Sequence, residues 1–269
     1  MDQEEVLQPH VTGAGGVVAL VMLEWTVGLI GLTAWTQSWA EVKRGHFRIT
    51  AWVILALAAA AFAAARSTGA DGPQSQLVIA CLVGCALYVL VQYSRTDVPG
   101  AVIGGITALV GCAALAASGA TLAGWPAVLA ALELIAGAAL LGGVTSGMLL
   151  GHWYLNQPGL KTWALARLTV ASLIATGATA ILGLIATGRL ANASTEGAVL
   201  GIPGFGDSFG AGFFVIWLLL VGFTGVVTWM VRRCIKIRSI QSATGLYYVA
   251  LLTAGVSEFL IRYLMVNVA

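Results

Sequence analysis

Residues 125–155 read WPAVLAALELIAGAALLGGVTSGMLLGHWYL. A helix needs about 20 predominantly apolar residues to cross the hydrocarbon core of a bilayer, and this stretch has about 30. Its only acidic residue is Glu133, and no lysine or arginine interrupts it. The stretch therefore predicts a transmembrane helix, long enough to tilt or to protrude from the membrane.

The composition of the whole chain indicates the same class of protein. Of the 269 residues, 59% are hydrophobic and only 9% are charged, whereas about 25% are charged in ordinary soluble domains. So few charges do not cover the surface of a soluble protein of this length, which excludes soluble enzymes, nucleic-acid-binding proteins and disordered proteins. We expect a single all-α integral membrane domain over residues 1–269, in contact with membrane lipids and with no nucleic acid.

Further apolar stretches of similar length occur along the chain. We predict a polytopic bundle of about eight transmembrane helices, at approximately residues 15–37, 49–66, 75–94, 100–119, 125–155, 163–187, 211–231 and 244–267. The longest connection on the predicted outer side is about residues 190–211. The two halves of the chain share no motif that can be aligned by eye, which argues mildly against an inverted-repeat transporter.

The basic residues between the predicted helices lie mostly on one side of the membrane. Ten of them share that side: Lys43, Arg44, Arg48, Arg95, Lys161, Arg167, Arg232, Arg233, Lys236 and Arg238. The other side has Arg66 and Arg189. By the positive-inside rule the ten-residue side is cytoplasmic, so both termini are predicted on the outer (periplasmic or extracellular) side.

The N-terminal segment and the bias toward alanine and glycine suggest a location. The chain starts MDQEEVLQPH, which is acidic and therefore agrees with an external N-terminus. A secretory signal starts with positive charge, so we expect no cleavable signal. High alanine and glycine content hints at a GC-rich bacterial genome, so we expect a multi-pass protein of the bacterial cytoplasmic (inner) membrane.

Four ionisable residues lie inside the predicted helices: Glu24, Glu133, Glu258 and Arg262. An ionisable residue within the bilayer is costly and is a candidate functional residue by default. The three glutamates each lie about 8 or 9 residues from the outer end of their predicted helices, or about 12–14 Å deep. Equal depth on three helices predicts one polar site in the outer half of the bundle.

Two interpretations of this site stay open. Glu258 and Arg262 are one turn apart and can pair along one helix face, which would serve packing alone. Glu24 and Glu133 have no cation on their own helices, and burial without a partner favours a protonated carboxyl group. A protonatable carboxyl at membrane depth suits a quinone site, a proton path or a proton-coupled transporter.

The segment Gly151–His152–Trp153–Tyr154 ends the fifth predicted helix on the cytoplasmic side. Tryptophan and tyrosine commonly mark the membrane interface, so His152 is either an interfacial residue or a ligand of a quinone headgroup, with Tyr154 as a second candidate. Glycines repeat every four residues before it, at Gly143, Gly147 and Gly151. This stripe favours close helix packing, with approach of a flat cofactor as the alternative.

A b-type haem held by His46 and His152 is a less favoured alternative. Both histidines are predicted at the cytoplasmic level, but His46 falls in the loop KRGHFR, whereas membrane cytochromes typically carry both ligands within spans. That basic loop is more typical of a site for anionic lipid or a partner protein. The four cysteines lack zinc-like spacing, so we predict no metal site.

The motif search identifies no catalytic signature, including phosphate-binding loops, serine nucleophile elbows and HExxH. We therefore expect a chain that is not catalytic alone. The favoured hypothesis is an integral membrane subunit of a respiratory or other redox complex, which anchors electron-transfer subunits and contributes to a quinone site. The alternatives are a proton-coupled small-solute transporter, a structural or assembly subunit, and a lipid-modifying enzyme.

Overall fold

The computed structural model describes residues 13–68, 72–157, 159–190 and 209–266, and over these it is all-α. The helices are α1 (Gly13–Gln37), α2 (Arg44–Ser67), α3 (Pro73–Val91), α4 (Val98–Ala120), α5 (Ala127–Asn156), α6 (Trp163–Ile185), α7 (Thr187–Leu190), α8 (Phe209–Lys236) and α9 (Ile240–Val266). Most of the predicted outer connection at about residues 190–211 lies outside these ranges.

Eight helices within the described ranges are long and apolar enough to cross a membrane, and only the short α7 is not. The predicted polytopic helix bundle is thereby confirmed. The largest boundary differences are about five residues: α8 ends at Lys236 rather than at about residue 231, and α2 begins at Arg44 rather than at about residue 49. Its first turn is polar, so a count of apolar residues excludes it, although arginine is a good helix former.

Helices α1 and α5 form the centre of the bundle. Helix α1 packs against α2, α4, α5 and α9, and α5 packs against α1, α4, α6 and α9. The outer helices expose large apolar side chains, such as Leu109 of α4 (72% exposed), Leu219 of α8 (68%) and Leu252 of α9 (68%). An apolar surface of this extent is unfavourable in water, which indicates that these faces contact lipid.

Glycines allow the central helices to approach closely. A Cβ atom on Gly28 of α1 would overlap the main-chain carbonyl of Ala138 on α5, and one on Gly142 would overlap the main chain of Gly28. The two backbones therefore touch at this crossing, as small residues permit between membrane helices.

The predicted glycine stripe on α5 has a different set of neighbours. Gly143 faces Ser172 of α6, whereas Gly147 and Gly151 face Tyr247 and Thr244 of α9. Side chains of α6 and α9 thus fill the space beside these glycines. This agrees with the helix-packing interpretation of the stripe.

The predicted cytoplasmic residues gather at one end of the bundle, which we call the basic end. There α1, α3, α5 and α8 end, and α2, α4, α6 and α9 begin. The side chain of Arg44 pairs with Asp97 at 3.0 Å and donates to the carbonyls of Ser94 and Arg95. Arg48 donates to the carbonyl of Gln92 at 3.3 Å.

These contacts revise the role of the KRGHFR segment. Its arginines hold the connection between α3 and α4, so they are less available to an external lipid or protein than the loop prediction implies. Nearby, a buried amide network joins α1 to α3, because Gln37 Nε2 donates to Gln92 Oε1 at 2.8 Å and Tyr88 donates to Gln37 Oε1 at 3.0 Å.

Candidate functional site

The four ionisable residues of the predicted spans meet at one place, which we call the charged cluster. Glu24 comes from α1, Glu133 from α5, and Glu258 and Arg262 from α9; each is 0% exposed. Helices α1 and α5 are at the centre of the bundle and α9 packs against both, so apolar packing surrounds the cluster. It lies toward the end of the bundle opposite the basic end.

A single nitrogen of Arg262 joins the three helices. Nη2 lies 2.7 Å from Oε1 of Glu24, and it donates to Oε2 of Glu258 at 2.8 Å and to the main-chain carbonyl of Glu133 at 2.9 Å. Nη1 lies 2.7 Å from Sδ of Met265. Because a guanidinium NH₂ group carries two hydrogens, the three oxygen acceptors around Nη2 share them.

Several buried polar atoms of the cluster have no hydrogen-bond partner among the described residues. They are both carboxylate oxygens of Glu133, Oε2 of Glu24, Oε1 of Glu258 and Nε of Arg262. A buried polar atom without a partner costs about 1–3 kcal/mol, so such a group needs an explanation. A proton on a carboxyl group supplies one, because the O–H it creates donates to a neighbouring oxygen.

The charge balance leads to the same conclusion. Three ionised carboxylates around one guanidinium would leave two negative charges uncompensated in a site with 0% exposure. Uncompensated charge at this depth is strongly disfavoured. Two bound protons would make the cluster neutral, and Glu133 is the clearest acceptor for one, because its carboxylate takes no part in the ion pairs of Glu24 and Glu258.

Gly137 was not predicted as a site residue, although it makes room for the cluster. It lies one turn after Glu133, and a Cβ atom there would overlap Nη2 of Arg262 and Oε2 of Glu258. Its position four residues after the only acidic residue of α5 could have indicated this role. However, α5 contains several other glycines, and the sequence alone does not distinguish Gly137 from them. Only the packing of α1 and α9 against α5 distinguishes Gly137 from them.

A second site lies at the basic end, between the start of α2 and the end of α5, and we call it the histidine pocket. Its volume is about 240 Å³. The lining residues are His46, Ile49, Thr50, Leu149, His152, Trp153 and Asn156. His46 is buried (5% exposed), while Ile49 is 58% exposed on the lipid-contacting side of α2.

The pocket combines hydrogen-bonding groups with an aromatic ring. The ring centroids of His46 and Trp153 are 5.9 Å apart, and Nε1 of Trp153 donates to Gln157 at 2.8 Å, which holds the indole in place. A Cβ atom on Gly45 would overlap the indole at 2.6 Å, so glycine at this position lets the ring lie against α2. The pocket can therefore accept a planar molecule with polar edges.

The other predicted site residues have different surroundings. Tyr154 is buried, and its hydroxyl donates to the carbonyl of Lys161 at 2.5 Å, which ties α5 to the following loop instead of facing the pocket. The structure places His46 in the first turn of α2 rather than in a loop. A haem shared by His46 and His152 stays a prediction.

Metal-ligating side chains do not gather anywhere in the described ranges: no group of three or more His, Cys, Asp and Glu residues is placed to hold a metal ion there. Cys81 and Cys85 are free and buried on one face of α3. They pack as small apolar residues in the core of the bundle.

Comparisons with protein family models, with curated proteins and with solved structures found no match. The charged cluster and the histidine pocket are therefore the features from which a function can be inferred.

Proposed function

We propose that this protein is an integral membrane subunit of a quinone-linked redox complex in a bacterial cytoplasmic membrane. The observation that carries the proposal is the histidine pocket. It places two imidazole rings and an indole around a space of about 240 Å³ at the end of the bundle, beside a lipid-facing side chain. A quinone headgroup has carbonyl acceptors on a flat ring, and its tail is apolar.

Different residues of the pocket would bind the headgroup and the tail of the quinone. His46, Thr50 and His152 offer donors to the quinone oxygens, and Trp153 offers a flat surface for stacking. Ile49 and Leu149 supply the apolar side through which a tail reaches the bilayer. Ligand sites of this kind are mostly apolar, with few placed polar groups.

Reduction of the quinone takes up two electrons and two protons. No redox centre is encoded by a motif of this chain, so the electrons would come from partner subunits that carry such centres. The basic end is the face on which these subunits would dock, since the loops that connect the helices at that end are short. The protons would enter from that aqueous side through the imidazole of His152, which is exposed.

The test is quinone binding by the purified full chain. We expect a short-tailed azidoquinone, after illumination, to label peptides from the start of α2 and the end of α5. His152→Ala should reduce the labelling about tenfold, because loss of one hydrogen bond to a desolvated ligand costs about 1–3 kcal/mol. Trp153→Phe should weaken stacking to a smaller degree.

The matched control is Trp229→Phe, which makes the same change at a 48% exposed tryptophan of α8, outside the pocket. It should leave the labelling unchanged. Equal labelling in His152→Ala and Trp229→Phe would refute the quinone site, whether or not the chain still associates with redox partners.

The charged cluster favours a second candidate, a proton-coupled small-solute transporter. A carboxyl group that binds and releases a proton inside the bilayer is the coupling element that such a protein needs. Glu133 fits this role, because its side-chain oxygens have no hydrogen-bond partner among the described residues. The same proton site could also serve a redox subunit, so substrate-dependent proton movement decides between the two candidates.

The protonation of the cluster can be measured without a substrate. Infrared difference spectra of the reconstituted protein should show the C=O stretch of a protonated carboxyl group at neutral pH, shifted in D₂O. Glu133→Gln should remove about half of this band, since it removes one of the two protonated carboxyl groups, and it should still fold, because it breaks no ion pair. The control Glu41→Gln changes a carboxylate that is paired with Lys161 at 3.9 Å near the surface, and it should keep the band.

An unchanged band in Glu133→Gln would assign the protonated carboxyl group to another residue and remove Glu133 as the coupling residue. A wild-type spectrum without this band would leave the cluster a structural ion-pair network, as in a structural or assembly subunit.

A further inference from the structure

We propose that the basic end carries a specific site for an anionic glycerophospholipid, in a groove between α6 and α8 that is separate from both sites described above. The groove encloses about 570 Å³. Its cations are Arg167 of α6 and Arg232 and Lys236 of α8, and all three are exposed. We call it the basic groove.

Among the described residues, the cations of the basic groove have no acidic partners. Within the described residues, the basic end has two acidic side chains, Glu41 and Asp97, and these pair with Lys161 and Arg44. None of the three groove cations forms an ion pair with a described residue. A group with negative charge is therefore the complement of this surface.

The arrangement of the cations matches a lipid phosphate at the membrane interface. Arg232 and Lys236 are one turn apart on α8, so both side chains lie on one face. Arg167 lies over the indole of Trp163, with its guanidinium carbon 4.5 Å from the ring centroid. Tryptophan is typical of the headgroup level of a membrane, so this contact sets the depth at which the phosphate would bind.

The walls of the groove continue from the cations into the apolar zone. Val170 and Ile174 follow Arg167 on the same face of α6, and Ile174 is 68% exposed. From Trp163 to Ile174 the helix rises about 16 Å. One leaflet of hydrocarbon is about 15 Å thick, half of a core of about 30 Å, so an acyl chain can lie along this face.

These features favour a lipid over the other anionic partners. A soluble acidic protein would contact the cations but would not reach Ile174, and a free phosphate would leave the apolar wall uncovered. Anionic lipids attract clustered Lys and Arg residues in proteins at the cytoplasmic leaflet. The groove is thus distinct from the KRGHFR segment, whose Arg44 is already paired with Asp97.

The experiment is native mass spectrometry of the full chain in mild detergent, with phosphatidylglycerol or phosphatidylcholine added at equal concentration. We expect the wild type to retain one phosphatidylglycerol molecule preferentially. Each groove cation should contribute about fivefold in affinity, so the double variant Arg232→Gln, Lys236→Gln should bind this lipid about 30-fold more weakly. Arg167→Gln alone should weaken binding about fivefold.

The matched control is the double variant Arg95→Gln, Arg233→Gln. It removes the same charge at the same end, from exposed residues outside the groove, and it should retain the lipid as the wild type does. Equal loss in both double variants would overturn the proposal, because it would indicate attraction to net charge only. Equal retention of phosphatidylcholine by the wild type would also overturn it.

Glycerol phosphate distinguishes a lipid site from a phosphate site. It carries the headgroup charge without acyl chains, so we expect it to leave phosphatidylglycerol bound at equal concentration. Complete displacement would overturn the assignment to a lipid.

Discussion

Replacement of Arg262 by methionine should largely abolish folded protein. The guanidinium is the only cation in the charged cluster, and Nη2 contacts the side chains of Glu24 and Glu258 and the main chain of Glu133. Removal of one member of a buried ion pair costs about 3–5 kcal/mol, since the other member stays buried without compensation. Here two paired carboxylates would lose their cation together.

The measurement is the yield of monodisperse protein in mild detergent, together with its thermal unfolding. Neutralising the carboxylates should rescue the fold, so Arg262→Met combined with Glu24→Gln and Glu258→Gln should be much more stable than Arg262→Met alone. The control Arg233→Met removes an exposed cation that lies 4.9 Å from the ring of Trp229, and it should change stability by about 0.5 kcal/mol or less. Wild-type stability of Arg262→Met would contradict the central role of this side chain.

The second large effect is expected at the crossing of α1 and α5. Gly28→Ala places a methyl group where the carbonyl of Ala138 already lies. Flexible side chains can move aside, but two packed backbones have to separate along their length. Overpacking of a core costs about 1–3 kcal/mol and at times more, so we expect a loss of about 3 kcal/mol or more, with a lower unfolding temperature in detergent.

The matched control is a glycine-to-alanine substitution at a helical position where the added methyl group meets no other atoms. A Cβ atom on Gly177 of α6 would meet nothing within 4 Å. Gly177→Ala should therefore be neutral or stabilising by up to about 1 kcal/mol, since alanine favours a helix over glycine. If both alanine variants unfold at the same temperature, the close approach of α1 and α5 does not limit stability.

The helices whose packing stabilises the bundle also carry the residues of the proposed proton-binding site. Helix α9 packs against the central helices α1 and α5, and these three helices supply the whole charged cluster. A proton that binds at Glu133 therefore changes the electrostatics of the packed core directly. The histidine pocket differs in this respect, because it lies at the end of α5 and opens beside the exposed Ile49. Substitutions there should change binding with little effect on folding.

Much of the candidate site could be predicted because hydrophobicity and charge are local properties of a sequence. Glu24, Glu133, Glu258 and Arg262 were identifiable because each interrupts an apolar stretch. Their similar depth followed from counting residues along predicted helices. His152 was recognisable by its position beside Trp153 and Tyr154, yet its neighbour His46 was assigned to a loop, since the polar first turn of α2 has no hydropathy signal.

The sequence alone determined that this chain is a multi-pass helical membrane protein, that its spans number eight, and which ionisable residues lie within them. These properties follow from the length and composition of each stretch, because the bilayer requires about 20 apolar residues whatever the neighbours are. Tertiary structure alone decided which helix faces which. Contacts between residues distant in sequence placed Nη2 of Arg262 among three helices, gave Gly137 its role and separated Tyr154 from the histidine pocket. Such contacts depend on side-chain shape and helix rotation, and one chain's hydropathy pattern does not encode either.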